Sequence, residues 1–177
     1  MCTETPDNTK PEEDRFVLST PVAGVTPGTG ISTAPPLTLW NPGDSLYFLD
    51  VESAIAAYVS GTLGAGALVL ALSQQSSSIS GGTPLLPTNR YPAGAQAPKV
   101  VGNTGGTLER TPIIYRPVAQ AGAFAAATAW PVQETPEMPC RVTLPPGWAA
   151  SLHYVGAAGA APLMLLALAF KLRLIKQ

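Results

Sequence analysis

From Leu163 to Ile175 the chain reads LMLLALAFKLRLI, its most apolar run, and what this run becomes decides the fold class. Hydropathy alone suggests a membrane helix, and Leu, Met, Ala and Lys all favour helix. Its alternation argues the other way. Met164, Leu166, Leu168, Phe170, Leu172 and Leu174 fall on one face of an extended chain, with Ala167, Ala169, Lys171 and Arg173 on the other. Two cations spaced by two, each between large apolar residues, spoil a helical stripe and suit a strand with one wet face. Upstream, Tyr154 to Phe170 is uncharged, but Gly156, Gly159 and Pro162 interrupt it, short of a membrane span. The run is predicted to be a long final β-strand.

Composition extends that reading to the whole chain. The 177 residues suit one main domain with a substantial core. With 17 glycines and 19 prolines, about a fifth of the chain favours turns, as many short strands would require. Charged residues are only 12%, about half the usual share. A surface so poor in charge is tolerable when other subunits cover it, which points to assembly.

The charges are unevenly placed. Residues 1–15 hold five acids and two bases, and the remainder six acids and eight bases. Nothing in this balance marks a nucleic-acid binder. The cysteines, Cys2 and Cys140, have no metal spacing and are not expected to pair, which fits a reducing cytosol. The N-terminus lacks the regions of a signal peptide.

In chain order, residues 1–36 read as an extended, Pro-rich N-terminal arm. Prolines at 6, 11, 21, 27, 35 and 36 remove donors and fix φ. Phe16, Val17 and Leu18 are its apolar anchor, placed either in a free tail or on a neighbouring subunit. A β-sandwich domain is expected over 37–177. It opens with Leu37–Trp40 and the turn Asn41-Pro42-Gly43-Asp44. A strand follows over 45–60, with Tyr47, Leu49, Val51, Ile55, Ala57 and Val59 on one face and Asp50 and Glu52 on the other. A short helix over 52–59, capped by Asp50, is the competing reading. Ala67–Leu72 is a central strand, and 73–98 a long polar contact loop that includes Arg90 and Tyr91. Lys99–Val101, Thr107–Pro117, Arg141–Leu144 and Trp148–Val155 supply further strands. Residues 121–130 are ambiguous, and 131–139 form a Pro-rich crossover. With no βαβ rhythm and long irregular connections, the expectation is all-β: an antiparallel, jelly-roll-like sandwich.

Catalytic signals are weak. His153 is the sole histidine and shares a strand face with Ser151, which predicts an exposed strand residue rather than a catalytic base. Asp50 and Glu52 read as a solvated face or a subunit salt bridge. GTLGAG at 61–66 and GNTGG at 102–106 lack the Lys-Ser/Thr of a phosphate loop and read as turns. Trp40, Trp130 and Trp148 are core or interface anchors, although they could stack on a sugar. Arg110, Arg116, Lys171 and Arg173 suit acids on a partner surface. No enzyme, metal or cofactor is expected.

The combination LTLWNPGDSLYFLDVESAIAAYVSGTLGAGALVLAL, GNTGGTLERTPI and LPPGWAASLHYVGAAGAAPLMLLALAF resembles small virion proteins of tailed bacteriophages over about residues 37–170. The shared motifs are structural turns. The resemblance implies a capsid decoration or cement protein, often trimeric, assembled in the host cytoplasm and bound to the major capsid protein of an icosahedral head, without nucleic-acid or membrane contact. One departure is the basic ending KLRLIK, where a more acidic one is expected. The candidate interaction residues are Phe16, Val17, Leu18, Arg90, Tyr91, Lys171 and Arg173. The alternative is a tail- or fibre-associated carbohydrate-binding sandwich using exposed aromatics such as Tyr91.

Overall fold

The alternation of the last run is realised as a twelve-residue strand. The structure, a computed structural model, describes residues 15–90, 97, 99–121, 123, 133–134, 141–157 and 159–175. Among these are twelve strands and no helix: β1 (Arg15–Ser19), β2 (Leu37–Asn41), β3 (Tyr47–Ser60), β4 (Gly66–Gln74), β5 (Thr83–Leu85), β6 (Thr88–Asn89), β7 (Val101–Thr104), β8 (Ile113–Ala121), β9 (Gln133–Glu134), β10 (Val142–Leu144), β11 (Trp148–Gly156) and β12 (Leu163–Leu174). They form two antiparallel sheets. The first runs β10-β3-β12-β1-β6, with β9 also on β3, and the second β5-β7-β2-β11-β4-β8.

The pairing is nested. Leaving aside the short β5, β6, β7 and β9, the first strand pairs with the last, the second with the next to last, β3 with β10, and β4 with β8. This folded-over arrangement, split between two facing sheets, is the jelly roll. Met164, Leu166, Leu168, Phe170 and Leu172 of β12 face inward, as the alternation predicts, against Leu37, Leu39, Leu70, Leu152 and Tyr154 of the second sheet. Leu174 departs from the pattern. It is the last residue of the strand and 60% exposed.

The expected arm is corrected over its described part. Residues 15–19 are the first strand of the jelly roll, held between β12 and β6. Phe16 is 2% exposed and stacks on Phe170 with ring centroids 5.6 Å apart, while Leu18 is fully buried. Their anchor is therefore the chain's own core. Two apolar residues at i and i+2 are enough for a strand whose inner face is two side chains wide.

Four other expectations shift. Glu52–Val59 is strand, not helix, but its face changes partway. A bulge opposite Ala169 and Phe170 makes Glu52 the extra residue, so Leu49 and Val51 point inward, followed by Ala54 and Ala56, while Ile55, Ala57 and Val59 turn outward. The GNTGG turn instead supplies β7, pairing with β2. Gly102 is required there, since a Cβ would lie 2.2 Å from Leu18 Cδ1 and 2.8 Å from the Leu85 carbonyl oxygen. Within 73–98, Thr83–Leu85 and Thr88–Asn89 pair as β5 and β6. The strand predicted at 107–117 begins at Ile113 instead and continues to Ala121, carrying Pro117 on a sheet edge beside a bulge. Residues 124–132 and 135–140, within the ambiguous and crossover segments, lie outside the described residues.

The two turn motifs meet in space. Asn41 Nδ2 donates to the Tyr47 and Leu144 carbonyls, and the Gly147 N–H donates to the Asn41 carbonyl. The NPGD and PPG turns thus close one end of the sandwich as a single hydrogen-bonded unit. At the GTLGAG turn, Gly61 has φ +88° and a Cβ would meet the Ala161 carbonyl oxygen at 2.2 Å, so only glycine fits.

Candidate interaction surface

Nesting the first strand against the last has a direct consequence for charge. Arg15 of β1 lies opposite Lys171 of β12, and Lys171 lies opposite Asp50 of β3, which in turn lies opposite Thr143 of β10. Neighbours in register share a face, and this face points away from the core, since Phe16, Phe170 and Val142 occupy the other. Arg90 follows β6, and its N–H donates to the Arg15 carbonyl. Residues from five distant segments therefore form one row across the outer face of the first sheet.

The acids of the row are the buried members. Asp50 accepts from Arg173 Nε at 3.0 Å and Nη2 at 3.3 Å, and from the Thr143 hydroxyl at 2.6 Å. Burial pushes its carboxyl up, but the bonds from Arg173 and Thr143, with the charges of Arg173 and Arg141, outweigh burial. The carboxyl sits below the usual carboxylate range. Glu52 lies 3.4 Å from Arg15 and 3.5 Å from Arg141. The Arg173 guanidinium also lies over the Phe48 ring, 4.9 Å from its centroid, a cation–π contact. Arg15, Arg90, Arg141, Lys171 and Arg173 thus face two carboxylates, a cationic excess among the described residues. What this face offers chemically is recognition of carboxylates by guanidinium and ammonium groups.

Of the residues singled out from sequence, Arg90, Lys171 and Arg173 come together at this face, with Val17 two strands from Asp50 on the same side. Phe16 and Leu18 point into the core. Tyr91 lies outside the described residues. Sequence reading passed over Arg15 and Arg141, whose role depends on register; Arg15, immediately before the Phe16 anchor, was the visible clue.

Large apolar side chains also remain in solvent: Val22, Leu46, Leu86, Ile113, Ile114, Tyr115 and Leu174. Ile113, at 78% exposure, begins the edge strand β8. Trp40 is buried with Ala149 and Leu108 in a small second core on the outer side of the second sheet, and Trp148 is half-buried.

His153 overturns its expectation. It is fully buried, on the outer face of β11 beneath residues 25–36. Its Nε2 lies 2.9 Å from the Ser151 hydroxyl. Among the described residues no carboxylate completes a triad with it. Among the described residues no group of three or more His, Cys, Asp or Glu could hold a metal, and no helix is long and apolar enough to cross a membrane.

The fold and this face define a jelly-roll sandwich with a cationic outer surface on one sheet. Comparison with protein-family models, curated proteins and solved structures finds no match to the chain.

Proposed function

We propose that this chain is a structural virion protein that decorates an icosahedral phage capsid and stabilises it by bridging adjacent capsid subunits. The observation that carries this reading is the row of Arg15, Arg90, Arg141, Lys171 and Arg173 around the buried Asp50 and Glu52. A surface of this kind meets acids on a partner protein, steering docking and fixing its register. The charge-poor remainder with its exposed apolar residues suits further subunit contacts. The partner is the major capsid protein. In a homotrimer three such faces engage the shell together, so weak contacts multiply through effective concentration.

Burial of Trp40 removes one stacking platform, which weighs against the carbohydrate-binding alternative. The test is co-sedimentation with purified phage heads across a salt series, with the mass of the free protein measured in parallel. Binding that weakens with salt and is lost in the K171E/R173E double variant is expected. A stable monomer with no affinity for heads sinks the reading.

A further inference from the structure

Residues 25–36 cross the outer face of the second sheet without helix or strand, apart from the bridge of Val25 to Met164. They are held at few points. The N–H groups of Gly156, Leu108 and Gly105 donate to the carbonyls of Thr29, Thr33 and Pro35 at 3.3, 2.7 and 3.0 Å, and the Thr104 hydroxyl donates to the Pro36 carbonyl at 2.7 Å. Against them lies a half-open pocket of about 250 Å³, lined by the segment itself, Thr104, Gly105 and His153. The packing on this side is loose, and the chain's one histidine is sealed under it.

Among the described residues, those lining that imidazole carry no charge. Residues 25–36 contain no titratable side chain. On its own strand it is flanked by Ser151 and Val155, and across from it β4 presents Ala67, Val69 and Ala71. Thr38 of β2 stands opposite Ser151, and the 104–105 loop adds Thr104 and Gly105. An imidazolium here would meet no carboxylate from any element packed against it among the described residues. A buried cation without a counter-charge escapes by reaching water.

We propose that residues 25–36 are an acid-released strap and that His153 is its trigger. At neutral pH the neutral imidazole bonds Ser151 and the strap stays closed. As pH falls, a proton binds the ring more readily when the strap has lifted, so acid draws the molecule towards an open form. That form uncovers His153, Ser151 and Thr38 on the second sheet while the nested strands remain paired. Burial holds the native imidazole down at about 4, opposed only in part by a backbone hydrogen bond to Gly30. An exposed imidazole titrates near 6.5. The sign follows: the open form gains about tenfold for each pH unit below 6.5 and levels off near 4, about 300-fold in all. The proposal does not depend on the virion reading.

The test is amide hydrogen exchange from pH 7 to 4.5, corrected for intrinsic rates, at Gly105, Leu108 and Gly156, whose N–H groups bond the strap. Protection there should fall roughly a hundredfold, while β12 amides paired with β3 keep theirs. His153→Gln, which can still bond Ser151 but cannot titrate, should flatten the profile. Three results overturn the proposal: pH-independent protection at those amides, the same loss in H153Q, or an equal loss at β12, which would mean whole-molecule unfolding. Should H153Q not fold, the wild-type imidazole proton titration decides. A midpoint near 4, with strap exchange rising from about pH 6.5 downwards, supports the strap, and a midpoint of 6–7 with an unchanged strap overturns it.

Discussion

Replacing Phe16 and Leu18 by alanine separates a strand of the chain's own core from an arm that serves a neighbour. Both side chains are buried, Phe16 against Phe170 and Leu18 against Gly102 of the other sheet. Truncation removes their transfer free energy and leaves a cavity between two sheets that cannot easily close. Comparable changes cost about 3–5 kcal/mol for Phe→Ala and about 2.5–5 kcal/mol for Leu→Ala. Val17 lies between them on the outer face, partly exposed, so Val17→Ala should cost less than about 1 kcal/mol. Urea unfolding followed by tryptophan fluorescence at low micromolar concentration is a suitable assay. With a slope of about 2 kcal/mol per molar, the midpoint should fall by roughly 1.5–2.5 M for F16A and roughly 1.2–2.5 M for L18A, and barely move for V17A. The two losses need not add, since the residues neighbour each other on one face of one strand. If F16A and L18A leave the midpoint unchanged and only weaken self-association, the argument from burial is wrong.

Other consequences can be checked the same way. Asp50→Asn removes the carboxylate that accepts from Arg173 and Thr143 and should cost about 1 kcal/mol at pH 7, after screening of the half-exposed Arg173. Because the native carboxyl lies below its ordinary value of 3.8, this contribution is present above that pH and fades as pH falls through the native value; wild type and D50N should converge in acid melts. Gly102→Ala would set a methyl against Leu18 and the Leu85 carbonyl, and a thermal melt should show a loss of about 1–3 kcal/mol. Refolding after rapid dilution should occur in milliseconds to seconds rather than microseconds, since most ladders join distant segments.

How far the sequence speaks depends on the kind of question. The alternation of Met164–Leu172 declared its strand and inner face, because a period of two survives without knowledge of neighbours. The chemistry of the NPGD and PPG turns fixed the chain reversals around Asn41 and Gly147. β1 was obscured by the prolines that follow it, although Phe16 and Leu18 already stood at strand spacing. The change of face along β3 depends on the bulge at Glu52, which only pairing reveals. His153 shows the limit most clearly. Alternation put it on the outer face beside Ser151, and that is where it lies; what covers that face is a segment more than a hundred residues earlier, rich in Gly and Pro, whose path no local pattern specifies. The cationic row was half visible, as Lys171 and Arg173 stood out and Arg15 and Arg141 needed register to join them.

The nesting of first strand with last also sets a timetable for biosynthesis. Arg15 cannot find Lys171 until nearly the whole chain has left the ribosome. At about 5–20 residues per second, the apolar Phe16 and Leu18 wait roughly 8–30 s for the strand that will cover them. During that interval the leading end of every nascent copy is a sticky, half-made edge among others like it. A translation product truncated before residue 160 should therefore be handed to chaperones or aggregate.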